Sequence, residues 1–172
     1  MPFGINIRAD GDAKPYWDLV DRVAALEPEP TIRALKYPPH ITLAKYDRLG
    51  EDQLKHGLAA LASCSKATLT FDRIGAFDRG FLVLWVAPRP ERVLDELHAR
   101  VHGAINPALS KPAYRPGAWV AHCSIALRVA ASHRAEAHRL VAAPIPPFAL
   151  TFDTADCVSS PPIEILGQLP LL

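Results

Sequence analysis

The chain has few cysteines and almost no net charge, and each shortage excludes a class of protein. Three cysteines occur in 172 residues, at Cys64, Cys123 and Cys157. An odd number of widely separated cysteines forms no disulfide framework, so we expect a reducing, cytoplasmic environment. Nineteen basic residues against eighteen acidic ones leave a formal charge of +1. This balance argues against genomic DNA or a membrane surface as the main partner.

Long apolar runs and glycine-rich phosphate loops are also missing. The longest apolar run, residues 81–87, is far shorter than the roughly 20 residues that a membrane-spanning helix needs. The start, MPFGINIRAD, predicts no signal peptide because no apolar core follows a basic stretch. The nine glycines form neither a G-x-G-x-x-G nor a Walker pattern. The composition is that of a globular protein, and we expect one soluble, monomeric domain over residues 1–172.

Strand and helix patterns occur in the same order in two halves of the chain. Alternating or continuous apolar runs predict strands, and apolar residues at helical spacing predict helices. The first half predicts strands at 3–7, 38–46 and 67–74, with helices from Pro15 and over 51–63. The second half predicts strands at 81–87, 118–129, 148–154 and 162–169, with helices from Pro90 and over 133–142. Corresponding elements are about 75 to 82 residues apart, which predicts a duplicated β-α-β-α-β unit with halves at about 3–74 and 81–159.

The third element of each half carries the same short motif. The first copy is His40-Ile41-Thr42-Leu43, and the second, 82 positions later, is His122-Cys123-Ser124-Ile125. Because side chains alternate along a strand, each histidine shares a face with the hydroxyl two residues on. Random placement of these residue types would give about 0.13 such motifs in the chain. Two copies at equivalent positions therefore indicate a paired site rather than two core histidines.

Acidic residues are absent around both motifs. Residues 30–46 and 97–135 contain no Asp or Glu. The two segments carry eight cations: Arg33, Lys36, Lys45, Arg100, Lys111, Arg115, Arg128 and Arg134. A local excess of positive charge suits a phosphate and does not suit a divalent cation.

Four further residues are candidates for substrate contact. Strand alternation predicts that Tyr46 and Arg128, each six positions after a motif histidine, face the same way as that histidine. Tyr114 and Trp119 border the acid-free loop before the second motif, where an aromatic ring would stack on a base. The alternative is that the first two are rim residues and that the aromatic pair closes a loop over the core.

The paired motifs, in PPHITL and AHCSIAL, resemble those of the two-histidine (2H) phosphoesterase superfamily, which includes 2′-5′ RNA ligase-like proteins and cyclic nucleotide phosphodiesterases. The resemblance covers nearly the whole chain. It implies a bilobal α+β fold in which mainly antiparallel sheets face a central cleft, with helices outside. It further implies metal-free hydrolysis of 2′,3′-cyclic phosphates on RNA ends or small nucleotides, without a cofactor. By this resemblance His40 and His122 would be the acid–base pair, and Thr42 and Ser124 would bind phosphate oxygens.

Other functions remain open from the sequence alone. The same acid–base pair would serve a 2′-5′ RNA ligase, and a module that binds RNA ends without turnover would keep the same surroundings. A zinc hydrolase using His40 and His122 would need a third ligand, which the neighbouring sequence does not offer. His98 and His102 lie four apart on a predicted helix, and we expect them on an exposed face rather than at a metal.

Overall fold

The computed structural model describes residues 2–172 and contains eight strands within them. Each predicted strand is present, but several boundaries differ, and the predicted strand 67–74 continues to Arg79. The predicted strand 118–129 begins only at Cys123, and the predicted strand 148–154 ends at Phe152; a further strand, Thr154–Ser159, was not predicted. The strands are β1 (Phe3–Arg8), β2 (His40–Tyr46), β3 (Ala67–Arg79), β4 (Phe81–Pro88), β5 (Cys123–Val129), β6 (Phe148–Phe152), β7 (Thr154–Ser159) and β8 (Glu164–Pro170).

The helices follow the apolar periodicity of the sequence. In the second half, Leu94, Leu97 and Val101 recur at helical spacing and are buried. A short helix in the connector after the first long helix was not predicted, because four residues show no periodicity. The helices are α1 (Lys14–Ala24), α2 (Thr31–Ala34), α3 (Glu51–Ala59), α4 (Arg92–Ala104) and α5 (Arg134–Ala142).

The strands form two four-stranded sheets in which every pairing is antiparallel. The first sheet has the order β2-β1-β7-β8, and the second has the order β5-β4-β3-β6. Helices α3 and α4 pack on the first sheet, while α1, α2 and α5 pack on the second. The α+β fold class, with helices outside two antiparallel sheets, is confirmed.

The two sequence halves exchange elements between the sheets. Strand β3, from the first half, pairs with β4 in the second sheet, and β7, from the second half, pairs with β1 in the first. Helix α1 packs on β5, and α4 packs on β2. Each sheet therefore draws on both halves of the chain, and its geometry depends on contacts between residues far apart in sequence.

Both motif strands contain a β-bulge directly after the motif hydroxyl. In β2, Ile5 pairs with Ala44 and Asn6 with Thr42, so Leu43 has no partner on β1. In β5, Leu84 pairs with Ala126 and Trp85 with Ser124, so Ile125 has no partner on β4. An extra residue reverses the alternation of side chains beyond it. The same irregularity at equivalent positions decides which residues line the cleft.

Among residues 2–172, no helix combines the length and the apolar character required to cross a bilayer.

Candidate active site

A cleft of about 430 Å³ brings the two motifs together. All four motif side chains, those of His40, Thr42, His122 and Ser124, lie on its wall. Its other lining residues come from both sheets, from α2 and from the loops at 113–120 and 160–163: Ile32, Leu35, Lys45, Phe77, Arg79, Val83, Ala113, Tyr114, Ala118, Trp119, Val120, Leu127, Ser160 and Ile163. Motifs that are 82 positions apart in sequence thus share one site.

The two imidazoles are held in the same way. The Nδ1 atom of His40 lies 3.0 Å from the carbonyl oxygen of Pro38, and Nδ1 of His122 lies 2.7 Å from that of Val120. A carbonyl oxygen only accepts, so each Nδ1 carries the proton and donates. The other nitrogen, Nε2, is then the one that binds or releases a proton during a reaction. Both histidines are half-buried on the wall of the same cleft, an arrangement that allows two proton transfers in one space.

Burial lowers the pKa of both histidines below the ordinary value of 6.5. For His40, the carbonyl of Pro38 and the carboxylate of Asp156 oppose this effect by favouring the charged form, while Lys45 lowers the pKa further by charge repulsion. For His122, the carbonyl of Val120 opposes it, while His40 and Lys45 lower the pKa further by charge repulsion. At neutral pH the neutral imidazole is favoured at both positions.

A buried polar network lies directly behind the first motif. The Thr42 hydroxyl donates to Oδ1 of Asn6 at 2.8 Å, and Nδ2 of Asn6 donates to Oδ1 of Asp156 at 3.1 Å. Oδ2 of Asp156 accepts from the Tyr37 hydroxyl at 2.5 Å and from Arg8 at 2.7 Å. Asp156 is fully buried and Arg8 is only 7% exposed. The ring of Tyr37 packs edge-on against that of His40, with centroids 4.7 Å apart. Thr42 and His40 are therefore both positioned by this network.

Aromatic rings surround the second motif instead. The ring of Phe77 packs edge-on against His122 with centroids 4.9 Å apart, and Trp85 lies 5.8 Å away. Trp85 fits there because its partner on β3 is Gly75, where even a Cβ would lie 2.3 Å from the indole. The Ser124 hydroxyl makes no hydrogen bond to any residue in the range 2–172. Apart from the hydrogen bond of His122 to Val120, the second motif thus has no counterpart of the polar network behind the first.

The prediction that Tyr46 faces the cleft is wrong, and Lys45 takes the place expected for it. The bulge at Leu43 reverses the alternation, so Tyr46 points into the core and is fully buried. Lys45 lines the cleft, and burial together with repulsion from Lys111 lowers the pKa of its ammonium group. Nothing in the local sequence marks the bulge, because Leu43 is as apolar as any core residue of a regular strand.

The prediction that Arg128 lines the cleft wall is also wrong, because two register shifts follow Ser124 in the pairing of β5 with β4, one on each side of Leu84. Beyond the bulge at Ile125, Leu127 lines the cleft, and the Arg128 guanidinium lies 4.6 Å from the centroid of the Phe81 ring. The buried carboxylate of Glu27 fixes this irregular segment by accepting from the backbone N–H groups of Leu127 at 2.9 Å and Arg128 at 2.8 Å. A carboxylate 100 residues away in sequence gives no signal of this role.

Tyr114 and Trp119 do line the cleft, but the indole ring is already engaged. One face of Trp119 stacks on His98 at 4.2 Å, and its N–H donates to the carbonyl of Thr42 at 2.9 Å. Nε2 of His98 lies 2.9 Å from the carbonyl of Tyr114. The expectation that His98 and His102 are exposed is wrong, since both are only 7% exposed beneath this loop. Trp119 ties the loop to the motif strand, and only its other face is available to a ligand.

Positive charge in the cleft comes from fewer residues than the sequence predicts. Of the eight cations in the acid-free segments, only Lys45 lines the cleft, and Arg79, outside both segments, is the second. Among the other seven, Arg33, Lys111 and Arg134 form ion pairs with carboxylates, and Arg115 bonds to backbone carbonyls. No acidic side chain is among the lining residues. The site is nevertheless electropositive, as an anion site requires.

Within residues 2–172, no group of three or more His, Cys, Asp and Glu side chains is arranged to hold a metal ion.

Solved structures with the same fold include LigT of E. coli. In its apo form LigT superposes with a TM-score of 0.65 at 17% identity, covering 99% of this chain and 96% of that one. LigT complexed with 3′-AMP gives a TM-score of 0.62 at 16% identity, covering 99% and 98%. TT0787 of Thermus thermophilus gives 0.63 at 18% identity, covering 99% and 98%. At such identities these likenesses show the fold alone, including the two-sheet arrangement around the cleft.

Sequence comparison gives the family. Comparison with curated proteins finds no match, but the family model described as the 2′-5′ RNA ligase superfamily matches residues 14–161. That span contains both motifs and most of the cleft. Membership supports a phosphoesterase or ligase-type activity. On the paired motifs, the fold and this match, the chain belongs to the 2′-5′ RNA ligase superfamily, the 2H phosphoesterases.

Proposed function

We propose that this protein is a metal-independent phosphodiesterase that opens the 2′,3′-cyclic phosphate of an RNA end or a small nucleotide. The observation that carries the proposal is the matched pair of imidazoles. Each donates from Nδ1 to the carbonyl two residues before it, and both line one cleft free of acidic side chains. Two groups of this kind can take up one proton and supply another in the same reaction.

The reaction would proceed by attack of water on phosphorus. A neutral imidazole takes the proton of the water through Nε2, while the other, protonated imidazole donates a proton to the leaving ribose oxygen. The new P–O bond comes from water, the broken one is to the 2′ or 3′ oxygen, and the product is a phosphomonoester. With a ribose hydroxyl of a second strand in place of water, the same forward steps form a phosphodiester, which is the ligase reaction. In the reverse reaction, in which that diester is cleaved to a cyclic phosphate, the base and the acid exchange roles.

Charge on the phosphate oxygens would be stabilised by three groups of the cleft. The Lys45 ammonium supplies positive charge, and the Ser124 hydroxyl is free to donate. Thr42 donates to Asn6 in this structure, so it must release that hydrogen bond in order to donate to a phosphate oxygen. A phosphate oxygen of the substrate and Oδ1 of Asn6 then compete for the hydroxyl hydrogen of Thr42. LigT has been solved in complex with 3′-AMP, a phosphomonoester of the class that this reaction would produce.

Hydrolysis of the four 2′,3′-cyclic mononucleotides and a short cyclic-phosphate RNA, measured in EDTA, tests the proposal. The variants are His40→Ala and His122→Ala, and His138→Ala provides a control because that histidine is exposed on α5. We expect roughly 10²- to 10⁴-fold lower kcat for each motif variant, and an unchanged rate for the control, with folding checked by circular dichroism. Activity that survives either motif substitution, or that EDTA abolishes in the wild type, would refute the mechanism. Binding of the RNA end without turnover by the wild type would favour a non-catalytic module.

A further inference from the structure

Three side chains form a row across the open end of the second sheet. Arg79, at the end of β3, pairs directly with Phe81, at the start of β4. The guanidinium of Arg128, on β5, lies over the Phe81 ring at 4.6 Å from its centroid. Gly80 joins the first two in a one-residue turn with φ of +89°, a conformation that L side chains rarely adopt. We call these three residues the rim row.

The rim row belongs to the same face of the sheet as the active site. Phe81 lies two residues before Val83, which lines the cleft, and residues two apart on a strand share a face. Arg79 lines the cleft itself and lies two residues after Phe77, which contacts His122. Two residues of strand correspond to about 7 Å. The rim row therefore extends the cleft outward by one step from the ring that touches His122.

Exposure and charge at the rim row are suited to a ligand. Phe81 is 59% exposed although it is apolar, and one guanidinium covers only one side of its ring. Among residues 2–172, the side chains of Arg79 and Arg128 form no ion pair with a carboxylate. The nearest acidic side chain on β3, that of Asp78, points to the opposite face and pairs with Arg134 of α5. Two unneutralised guanidiniums beside an open aromatic ring suit a nucleotide, whose base stacks and whose phosphate is an anion.

We infer that the rim row binds the nucleotide next to the reactive end of an RNA strand, and that this protein therefore prefers oligonucleotides to mononucleotides. The inference rests on the proposed function, since it takes the reacting phosphate to lie between the two histidines. The neighbouring base stacks on the open face of Phe81, and its phosphate lies against Arg79 and Arg128. An exposed Phe stacked with Arg would thus serve as a platform for the strand as it leaves the cleft.

The strand could leave the cleft at another point, near Lys36, and the charges there favour it less. A second cavity at that place is lined by Trp17, Arg33 and Lys36. Arg33 already covers Trp17 and forms an ion pair with Asp21, and Asp10 adds negative charge to the wall. Of the two cations in this cavity, only Lys36, which is exposed, forms no ion pair among residues 2–172. The rim row, with two cations and an open ring, provides the better path.

The test compares 2′,3′-cyclic AMP with an adenylate tetramer that ends in a 2′,3′-cyclic phosphate. The wild type should have a higher kcat/KM for the tetramer, with an advantage that decreases as salt increases. Phe81→Ala and Arg128→Ala should each reduce that advantage, the former by roughly 5- to 150-fold through loss of base stacking. Arg139→Ala is the matched control, because this exposed arginine lies on α5 behind the same sheet. It should leave the ratio of the two substrates unchanged.

Several results would refute RNA binding at the rim row. Equal kcat/KM for the tetramer and the mononucleotide in the wild type would overturn it, as would a tetramer advantage that persists in both rim variants. Loss of the advantage in Lys36→Ala instead of Phe81→Ala would place the strand at the other cavity and equally refute it. Hydrolysis of the mononucleotide is measured in every variant, so failure of the proposed function, seen as no turnover of either substrate, is distinguished from failure of this inference.

Discussion

The two sides of the cleft carry the same motif but support it in different ways. Behind His40 and Thr42 lies a closed hydrogen-bonded network that ends in a buried Arg8–Asp156 ion pair. Around His122 lie the rings of Phe77 and Trp85, and the hydroxyl of the second motif has no partner among residues 2–172. Equivalent sequence positions thus place one motif against a buried polar network and the other against aromatic rings.

This difference in surroundings bears on which histidine acts as base and which as acid. Lys45 disfavours the protonated form of both imidazoles, but Asp156 opposes this effect only at His40, and repulsion from the other histidine adds to it only at His122. The environments therefore push the two imidazoles toward different protonation states when one of them must carry a proton. For the proposed opening of a cyclic phosphate, by water or by a ribose hydroxyl, this favours His122 as base and His40 as acid.

The largest effect on stability should come from breaking the ion pair behind the first motif. Asp156→Ala leaves Arg8 buried without its main partner, although Arg8 keeps Asp10 at 2.9 Å. We expect a loss of about 3 kcal/mol in the free energy of unfolding, at the low end for a buried pair. Urea denaturation measures it. Asp21→Ala, which removes an exposed ion pair with Arg33, is the control and should change stability far less. Equal changes in the two variants would show that the network is not what holds the first motif.

The two sides also differ in charge, and Lys45 carries that difference. Its counterpart beyond the second bulge is Leu127, so the cleft has a cation on one side only. Lys45→Met should lower kcat/KM on a cyclic phosphate by roughly 10²-fold, because a donor to the charged oxygens is lost. Lys45→Arg should restore most of the activity. If Lys45→Met retained wild-type kinetics, Lys45 would not contact the phosphate.

Removing either motif hydroxyl should lower activity, but only removal of the first should lower stability. Thr42→Val removes a hydrogen bond to the buried Asn6 and should cost about 1 to 3 kcal/mol in urea denaturation. Ser124→Ala removes a hydroxyl without such a partner and should change stability by less than about 0.5 kcal/mol. Both variants should lower kcat, since both hydroxyls are proposed to bind the phosphate. A Ser124→Ala variant as unstable as Thr42→Val would mean that the second motif has polar support after all.

The smallest effect is a change in one pKa. Phe77→Ala opens the space beside His122 to water, and burial is the largest cause of the lowered pKa at that position. Hydration favours the charged imidazole, so the pKa of His122 should rise toward 6.5 while that of His40 stays where it is. Titration of the two imidazoles by NMR reads both values in one sample. A fall in the pKa of His122, or an equal rise at His40, would show that the ring of Phe77 is not responsible for the difference.

The sequence predicts well the two motifs and the strands that carry them. Both motifs are local patterns in which residue type and spacing of two already contain the chemistry, and apolar periodicity predicts the strands that carry them. The cleft does bring together His40, Thr42, His122 and Ser124. The alternation of side chains fails just beyond them, at Tyr46 and Arg128, because one register shift in β2 and two in β5 change the strand without altering its composition.

The residues that support the motifs could not be predicted from the sequence, for a different reason. Asn6 and Asp156 are 150 positions apart, and they meet only because β7 returns to pair with β1. Glu27 holds the second bulge across 100 positions. A single sequence records neither contact, since a buried Asp or Glu looks the same in composition as one in solvent. The exchange of strands between the halves is a long-range property of the same kind.

The measurement that tests the central claim most directly is the pH dependence of kcat/KM for a 2′,3′-cyclic mononucleotide in EDTA. The claim is that two histidines with lowered pKa values act as base and acid. The base must be neutral and the acid protonated, so the profile should be bell-shaped. Since burial lowers the pKa of both, each imidazole loses its proton at a lower pH than a free one, and the maximum should lie below pH 6.5. A rate that rises through neutral pH and never falls would contradict the claim.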